Sequence, residues 1–475
     1  MNVAILHYHF DRGGVTRVVD STLAAFAGSA GFRFGLVSGR PVTGMPAPSA
    51  LVPALDYTGP GGPASSPDDL HAEVTAAGRS LFEGREPDLW HIHNPALGKN
   101  AAMTGLVSRL ARDGRALLLH AHDFAEDFRP ANHRLREEFR HPGDPVFPFA
   151  PRVGHATINR RDRRILVRAG LPEESAFALP NPVPGPDSPP AVRGGSDLIL
   201  YPVRALARKN IGELLLLAHC HRKELRFEST LPPTNPAYRE RFARWKRLAG
   251  DLGLPVALGT AETGDDRPFA DRMAGCRSVV TTSIAEGFGL AFLEPWLYGR
   301  AVAGRDLPEI TGEFREAGLV LDGLYDGFPI PSDLLPPGEA ARSWRTAIES
   351  AYGSFGLEPP RGAVRRIEEE MRTAPATDFA LLGEDLQETV LRTLARARRP
   401  VEAPVDLTAA PPDSVVAANR AVLRRDFGAE GYAARLRSAY EALASAPAGT
   451  LSHLDPARVR EGFLDPDRFR PHFVG

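Results

Sequence analysis

The chain of 475 residues contains only two cysteines, Cys220 and Cys276, and neither belongs to a metal-ligand spacing. That scarcity excludes a disulfide scaffold and predicts a reducing, cytoplasmic setting. Long hydrophobic runs are absent too. The longest, "LLLLA" at 214–218, falls far short of the ~20 residues that span a bilayer. The opening "MNVAILHYHF" has no basic start and no long apolar core, so no secretory leader is expected. Neither sign of charge dominates: 57 Lys and Arg face 59 Asp and Glu, a net charge of −2. Nothing global therefore draws the chain to nucleic acid or to an anionic surface. The G-x-G-x-x-G fingerprint of dinucleotide enzymes is missing as well, which argues against a nicotinamide enzyme.

What is present is the material of a folded globular protein, with 43% hydrophobic and 24% charged residues. The length predicts two domains of about 200 residues each. Short apolar runs alternate with helix-period segments, the mark of βα units and parallel sheets. In the first half the strand candidates are "VAILHYH" (3–9), "FRFGLVSG" (32–39), "LWHIHN" (89–94), "ALLLHAHDF" (116–124) and "GHATIN" (154–159). In the second they are "LILYPVR" (198–204), "LRFESTL" (225–231), "VALG" (256–259), "SVVTTS" (278–283), "RAVAG" (300–304) and "GLVLD" (318–322). Between the two series lies "LPNPVPGPDSPPAVRGGSD" (179–197), too rich in Pro and Gly for a helix interior or a central strand. The expected architecture is α/β: two Rossmann-like, doubly wound domains over 1–185 and 186–400, with a helical extension over 401–475.

In such sheets polar ligands gather where strand ends meet the following loops, so polar residues at those points are the candidates. "RGGVTRVV" (12–19) follows the first strand. Gly13 and Gly14 permit a tight turn, and the helix behind them presents free N–H groups to an anion, although a plain turn explains them equally. Arg204 and Lys209 stand at the mouth of the second domain's first strand and suit a diphosphate, Arg as a fork and Lys as a mobile point charge. A solvated loop is the bland alternative. "EGFGLAFLE" (286–294) then places Glu286 and Glu294 around a Gly287–Phe288–Gly289 turn. The glycines let backbone approach a ligand, and a carboxylate can accept from paired sugar hydroxyls. A capping glutamate plus a surface glutamate explains the spacing as well. Pro295 complicates the helix that follows.

"GGVTRVV", "YPVRALARKN" and "SIAEGFGLAFLEPWLYGRAVAGRDLPEI", in that order, resemble the retaining GT-B glycosyltransferases of family 4. The resemblance covers about the first 310 residues and is most specific in the two glutamates combined with Arg204 and Lys209. It implies a hexosyltransferase that moves glucose or mannose from a nucleotide diphosphate sugar, its co-substrate, to a hydroxyl acceptor without a metal. On it, Arg204 and Lys209 neutralise the diphosphate, Glu294 binds the ribose and Glu286 faces the sugar. The backbone of Phe288, Gly289 and Leu290 contacts sugar and phosphates. In the first, acceptor-side domain, Gly14 lies by the phosphates and His122 is the active-site histidine, with His120 as the alternative one strand repeat away. The final helix commonly crosses back to the first domain in this fold. Weighed beside this reading are an epimerase or phosphorylase of the same fold and a non-catalytic nucleotide-sugar-binding subunit.

Two features stand outside the resemblance. "HYH", "HIH" and "HAH" put His7/His9, His91/His93 and His120/His122 near three strand ends, each pair on one side of its strand. Packed histidines are the expected reading, with zinc or iron binding the lesser one. "NRRDRRILVR" (159–168) is expected to be a solvated helix face, in preference to a peripheral membrane contact.

Overall fold

The computed structural model describes all residues except Ala30, Pro60, Pro63, Ala64, Asp187, 189–195, 264–266, Arg398, Ala410 and 474–475. The chain forms two units, Met1–Pro184 with Arg425–Leu464, and Gly185–Arg424 with Asp465–Gly475. Each unit is built on one parallel sheet.

The first unit contains β1 (Asn2–His7), β2 (Arg33–Ser38), β3 (Ser49–Leu51), β4 (Leu89–His93), β5 (Leu117–Ala121), β6 (Pro148–Phe149), β7 (Val153–Thr157) and β8 (Ala176–Ala178). All but β6 join one sheet in the order β3-β2-β1-β4-β5-β7-β8, with parallel neighbours throughout. A parallel sheet must be covered on both faces, and β1 shows how its sequence meets that need. Val3 and Ile5 point to one apolar cluster, while Ala4, Leu6 and Tyr8 point to another. The helices Pro67–Leu81 and Met103–Arg112 cover the second face with Leu70, Val74, Leu106 and Leu110. The first face is closed by Gly14–Ala25 and by a helix from late in the chain, Ala429–Ser445, through Tyr432, Leu436, Tyr440 and Leu443.

The second unit repeats the plan with β9 (Leu198–Arg204), β10 (Arg226–Leu231), β11 (Val256–Leu258), β12 (Ser278–Thr281), β13 (Val302–Arg305) and β14 (Leu324–Tyr325), in the order β11-β10-β9-β12-β13-β14. Two antiparallel pairs lie outside the main sheets. One joins β15 (Pro329–Pro331) to β16 (Ala376–Asp378), and the other joins β17 (Ser452–His453) to β6. Pro202 lies inside the central strand β9, which a missing N–H ordinarily forbids. It is accommodated because β12 pairs only with Ile199 and Leu200, and because the β10 register shifts between Ser229 and Leu231. In both sheets the strand order reverses beside the first strand, at β1/β4 and at β9/β12, where loops on opposite sides of the sheet leave a crevice.

One difference from expectation has a local cause. "GLVLD" forms no strand; the strand is Leu324–Tyr325, and Leu319 and Leu321 are buried from a connecting segment whose Val320 backbone is held by the Asn419 side chain, at 2.9 Å to both its N–H and its carbonyl. The Pro-rich stretch has no helix or strand from Leu179 to Pro186, and much of its remainder lies outside the described residues. The stretch after 400 is shared out: the helix Asp413–Asp426 lies mostly with the second unit, while Ala429–Ser445 and Pro456–Phe463 belong to the first.

The basic run forms the helix Arg160–Arg168, capped by Asn159, with Ile165 and Leu166 buried. Its Arg161 and Asp162 are buried in mutual and Asp127 ion pairs, and Arg163 pairs with Glu173. Half of the run is therefore spent internally. No helix among the described residues is long and apolar enough to cross a membrane.

Candidate functional site

At the switch point of the second unit, the loop after β9 tightens into a 3-10 turn, Ala207–Lys209, followed by the helix Ile211–Cys220. Several side chains fix this turn. The Tyr201 hydroxyl donates to the Lys209 carbonyl at 2.9 Å and lies 3.0 Å from Ser283 Oγ. Thr282 Oγ1 donates to the carbonyls of Lys209 and Asn210 at 2.9 and 3.1 Å. Asn210 itself adopts a left-handed φ of +48°, which Asn tolerates better than most residues. Its amide donates to Glu213 at 2.8 Å and its oxygen accepts from Gln387 at 3.0 Å. Glu213 is fully buried and paired with Arg305 at 2.7 Å, and Arg305 pairs again with Asp378 at 2.7 Å. A connected set of buried charges and amides thus stands behind the turn.

This support aims Lys209 at Glu286, which follows β12. Lys209 Nζ donates to Glu286 Oε1, and both side chains are about nine-tenths buried, at 10% and 9% exposure. Burial pulls the Lys209 ammonium below its usual pKa, against the attraction of Glu286 and with help from Arg208. Burial alone would raise the Glu286 carboxyl, but Lys209 and Arg208 together hold it below the ordinary carboxylate range. The pair is therefore ionised, with a second cation beside it. That second cation is Arg208, which sequence reasoning passed over; the run "RALARK" offered it, but nothing in the spacing distinguished it from a solvated neighbour.

The Gly-Phe-Gly turn follows directly. Phe288 is buried edge-on to Phe314, and Gly289 holds a φ of +86°. A Cβ on Gly289 would stand 2.8 Å from the Phe292 ring, so both conformation and space call for glycine. Gly289 is the N-cap of the helix Leu290–Leu297, which has no capping side chain and no acid in its first turn, leaving its N–H dipole end open to an anion. Pro295 is accommodated because the helix ends two residues later, at Leu297. Glu294 sits on that helix, half-buried. Arg204 closes β9, half-buried, and its guanidinium has no hydrogen-bond or ion-pair partner among the described residues.

In the first unit, Gly13 is the extended N-cap of the helix Gly14–Ala25, again with no capping side chain and no acid in the first turn. A Cβ on Gly14 would meet nothing within 4 Å, so packing does not demand glycine there and the space beside the helix start is open. His122 immediately follows β5. Asn94, at a φ of +53°, accepts from the His122 and Asp123 amides at 2.7 and 3.2 Å and so holds this turn. His122 Nε2 lies 2.8 Å from His93 Nδ1, and burial pushes its pKa down to about 4, making it a neutral imidazole near pH 7. His120 is fully enclosed, so of the two candidates His122 is the one at the strand's end.

Two parallel sheets with matched strand order, each with anion-ready loops at its switch point, make this the GT-B fold of nucleotide-sugar glycosyltransferases. Solved structures agree. HepE of Anabaena, in complex with UDP and glucose, superimposes with a TM-score of 0.51 at 14% identity, covering 92% of this chain and 98% of that one. A glycosyltransferase from Rickettsia africae gives 0.52 at 12% identity over 94% and 98%. Among curated proteins, mannosylglucosyl-3-phosphoglycerate synthase of Petrotoga mobilis is 26% identical over 232 residues, 44% of this chain. The match spans 45% of that relative's length. No protein-family profile matches the chain.

Proposed function

We propose that the protein is a retaining, metal-independent hexosyltransferase of the family 4 type, which transfers glucose or mannose from a nucleotide diphosphate sugar to a hydroxyl acceptor. One observation carries this reading: a buried Lys209–Glu286 pair at the β9/β12 switch point, beside Arg208 and an uncapped helix start. The charges suit the donor. Lys209, Arg204 and Arg208 bring three positive charges and Glu286 one negative, leaving two against the two of a diphosphate diester. Lys209 also keeps two of its three N–H donors after serving Glu286.

In the reaction, the bond from the anomeric carbon to the phosphate oxygen breaks and negative charge grows on the leaving diphosphate. Lys209, Arg204 and the amides of Gly287, Phe288 and Gly289 stabilise that charge in place. The acceptor oxygen bonds the anomeric carbon on the same face, and its proton passes to the departing phosphate oxygen. Glu286, tied to Lys209, orients the sugar and does not serve as a covalent nucleophile. Leu290 adds a backbone contact, Glu294 holds the ribose hydroxyls, Gly14 and His122 take the roles in the first unit that the resemblance assigns, and Gly13 opens the turn before Gly14. The Petrotoga relative's name supports a glycosylated, phosphorylated acceptor.

A thermal-shift screen with UDP-, GDP- and ADP-linked glucose and mannose tests the reading, since a ligand that binds only the native state raises its melting temperature. One of these donors is expected to shift the wild type and to leave Lys209→Ala unshifted. If none of the six shifts the wild type at millimolar concentration, the reading fails.

A further inference from the structure

Two of the three strand-end histidine pairs pack against each other in the first unit. β4 and β5 are parallel neighbours with His93 opposite His120, and the two-residue repeat sets His91 and His93, and His120 and His122, on common sides. The four rings form a compact block, with centroids 4.2 Å apart for His91/His93, 4.3 Å for His120/His122 and 5.1 Å for His93/His120. His91, His93 and His120 are each 0% exposed, and one ring nitrogen from each lies within 4.8 Å of the other two.

Hydrogen bonding within the block is incomplete. His91 Nδ1 lies 2.8 Å from the Tyr440 hydroxyl, His91 Nε2 lies 3.0 Å from His120 Nδ1, and His93 Nδ1 lies 2.8 Å from His122 Nε2. That leaves His93 Nε2 and His120 Nε2 buried without any partner among the described residues. A neutral imidazole has one donor and one acceptor, so each orphaned nitrogen is destabilising unless something else meets it.

We propose that His91, His93 and His120 bind one divalent transition-metal ion, zinc by preference, as a three-histidine site of the first unit whose fourth position is left to water. Three imidazoles are the ligand set of zinc, cobalt, nickel or copper, and not of magnesium or calcium. The 3.0 Å between His91 Nε2 and His120 Nδ1 is a span that two nitrogens, each about 2.0–2.1 Å from one ion, can occupy. Ligating histidines are typically anchored through their second nitrogen, and here Tyr440 anchors His91 while His122 anchors His93. Tyr440 belongs to Ala429–Ser445, so the ion would tie that helix to β4 and β5. Of the residues assigned to sugar transfer, His122 touches the site, as the anchor of His93.

The test uses the full chain without a histidine tag, refolded with Zn²⁺ or Co²⁺ and then desalted. Expected are one bound equivalent by elemental analysis, nitrogen scatterers at about 2.0–2.1 Å by X-ray absorption, and a tetrahedral Co²⁺ visible spectrum. Tyr440→Phe, which keeps all three ligands, should weaken binding about ten- to a hundred-fold. His120→Thr should abolish it. Wild-type protein that retains less than a tenth of an equivalent overturns the proposal. So does a folded His120→Thr that binds as the wild type does; should that variant not fold, unchanged affinity in Tyr440→Phe has the same force.

Discussion

Lys209 and Glu286, 77 residues apart in sequence, meet as one buried ion pair, each delivered by the loop after a different strand of the same sheet. Their contact ties the function of either residue to the stability of the second unit, and a double substitution separates the two. Lys209→Met leaves a carboxylate buried and unpaired, which should cost about 3–5 kcal/mol in chemical denaturation. Lys209→Met with Glu286→Gln should recover most of that loss and remain inactive in sugar transfer. A double variant as unstable as the single one would dismiss the pair as a coupled unit.

Gly289→Ala tests the helix start. The substitution forces a side chain into a φ of +86° and against Phe292, a strain of about 1–3 kcal/mol. The N–H groups at Leu290 and beyond would then tilt. The expected outcome is a donor KM raised several-fold with a smaller change in kcat, read from steady-state kinetics. Unchanged KM would mean that these amides do not touch the donor.

A pH dependence follows from His472, which is buried in a turn, Pro471–Phe473, packed against Ala207–Lys209. Burial lowers its pKa to about 4; Arg241 and Arg305 push the same way, and a backbone contact at Leu382 opposes them. The unfolded chain binds this proton near pH 6.5, whereas the folded chain refuses it until about 4. Stability is therefore intact above pH 6.5 and falls as the pH drops toward 4, by about 1.4 kcal/mol per pH unit from this group. Urea titrations of wild type and His472→Leu across that range should show the variant's slope smaller by that amount. Equal slopes would remove His472 from the account.

Much of this architecture was legible because its signals are local. Apolar runs such as "LILYPVR" form strands where expected, and the helix expected behind Gly13 and Gly14 starts at Gly14. Lys209 and Glu286 could be named because each follows a strand, and strand ends in a doubly wound sheet converge. What escaped notice depends on distant partners. Arg208 gains its meaning only from Glu286, and Tyr201, Thr282 and Asn94 act through backbone groups that no spacing rule identifies. "GLVLD" misled because burial of Leu319 and Leu321 looks the same in sequence whether the neighbour is a strand or a helix. An amphipathic pattern over 429–445 announces that one helix face is buried, and is silent on which sheet receives it.

That late helix has a consequence for biosynthesis. As the polypeptide leaves the ribosome, Val3, Ile5, Val19 and Leu36 emerge long before their partners Tyr432, Leu436 and Tyr440. Until then one side of the nascent N-terminal sheet stays oily and uncovered, a natural client surface for a chaperone. A fragment ending at Pro184 should accordingly aggregate when expressed alone and be rescued by co-expression of 425–464.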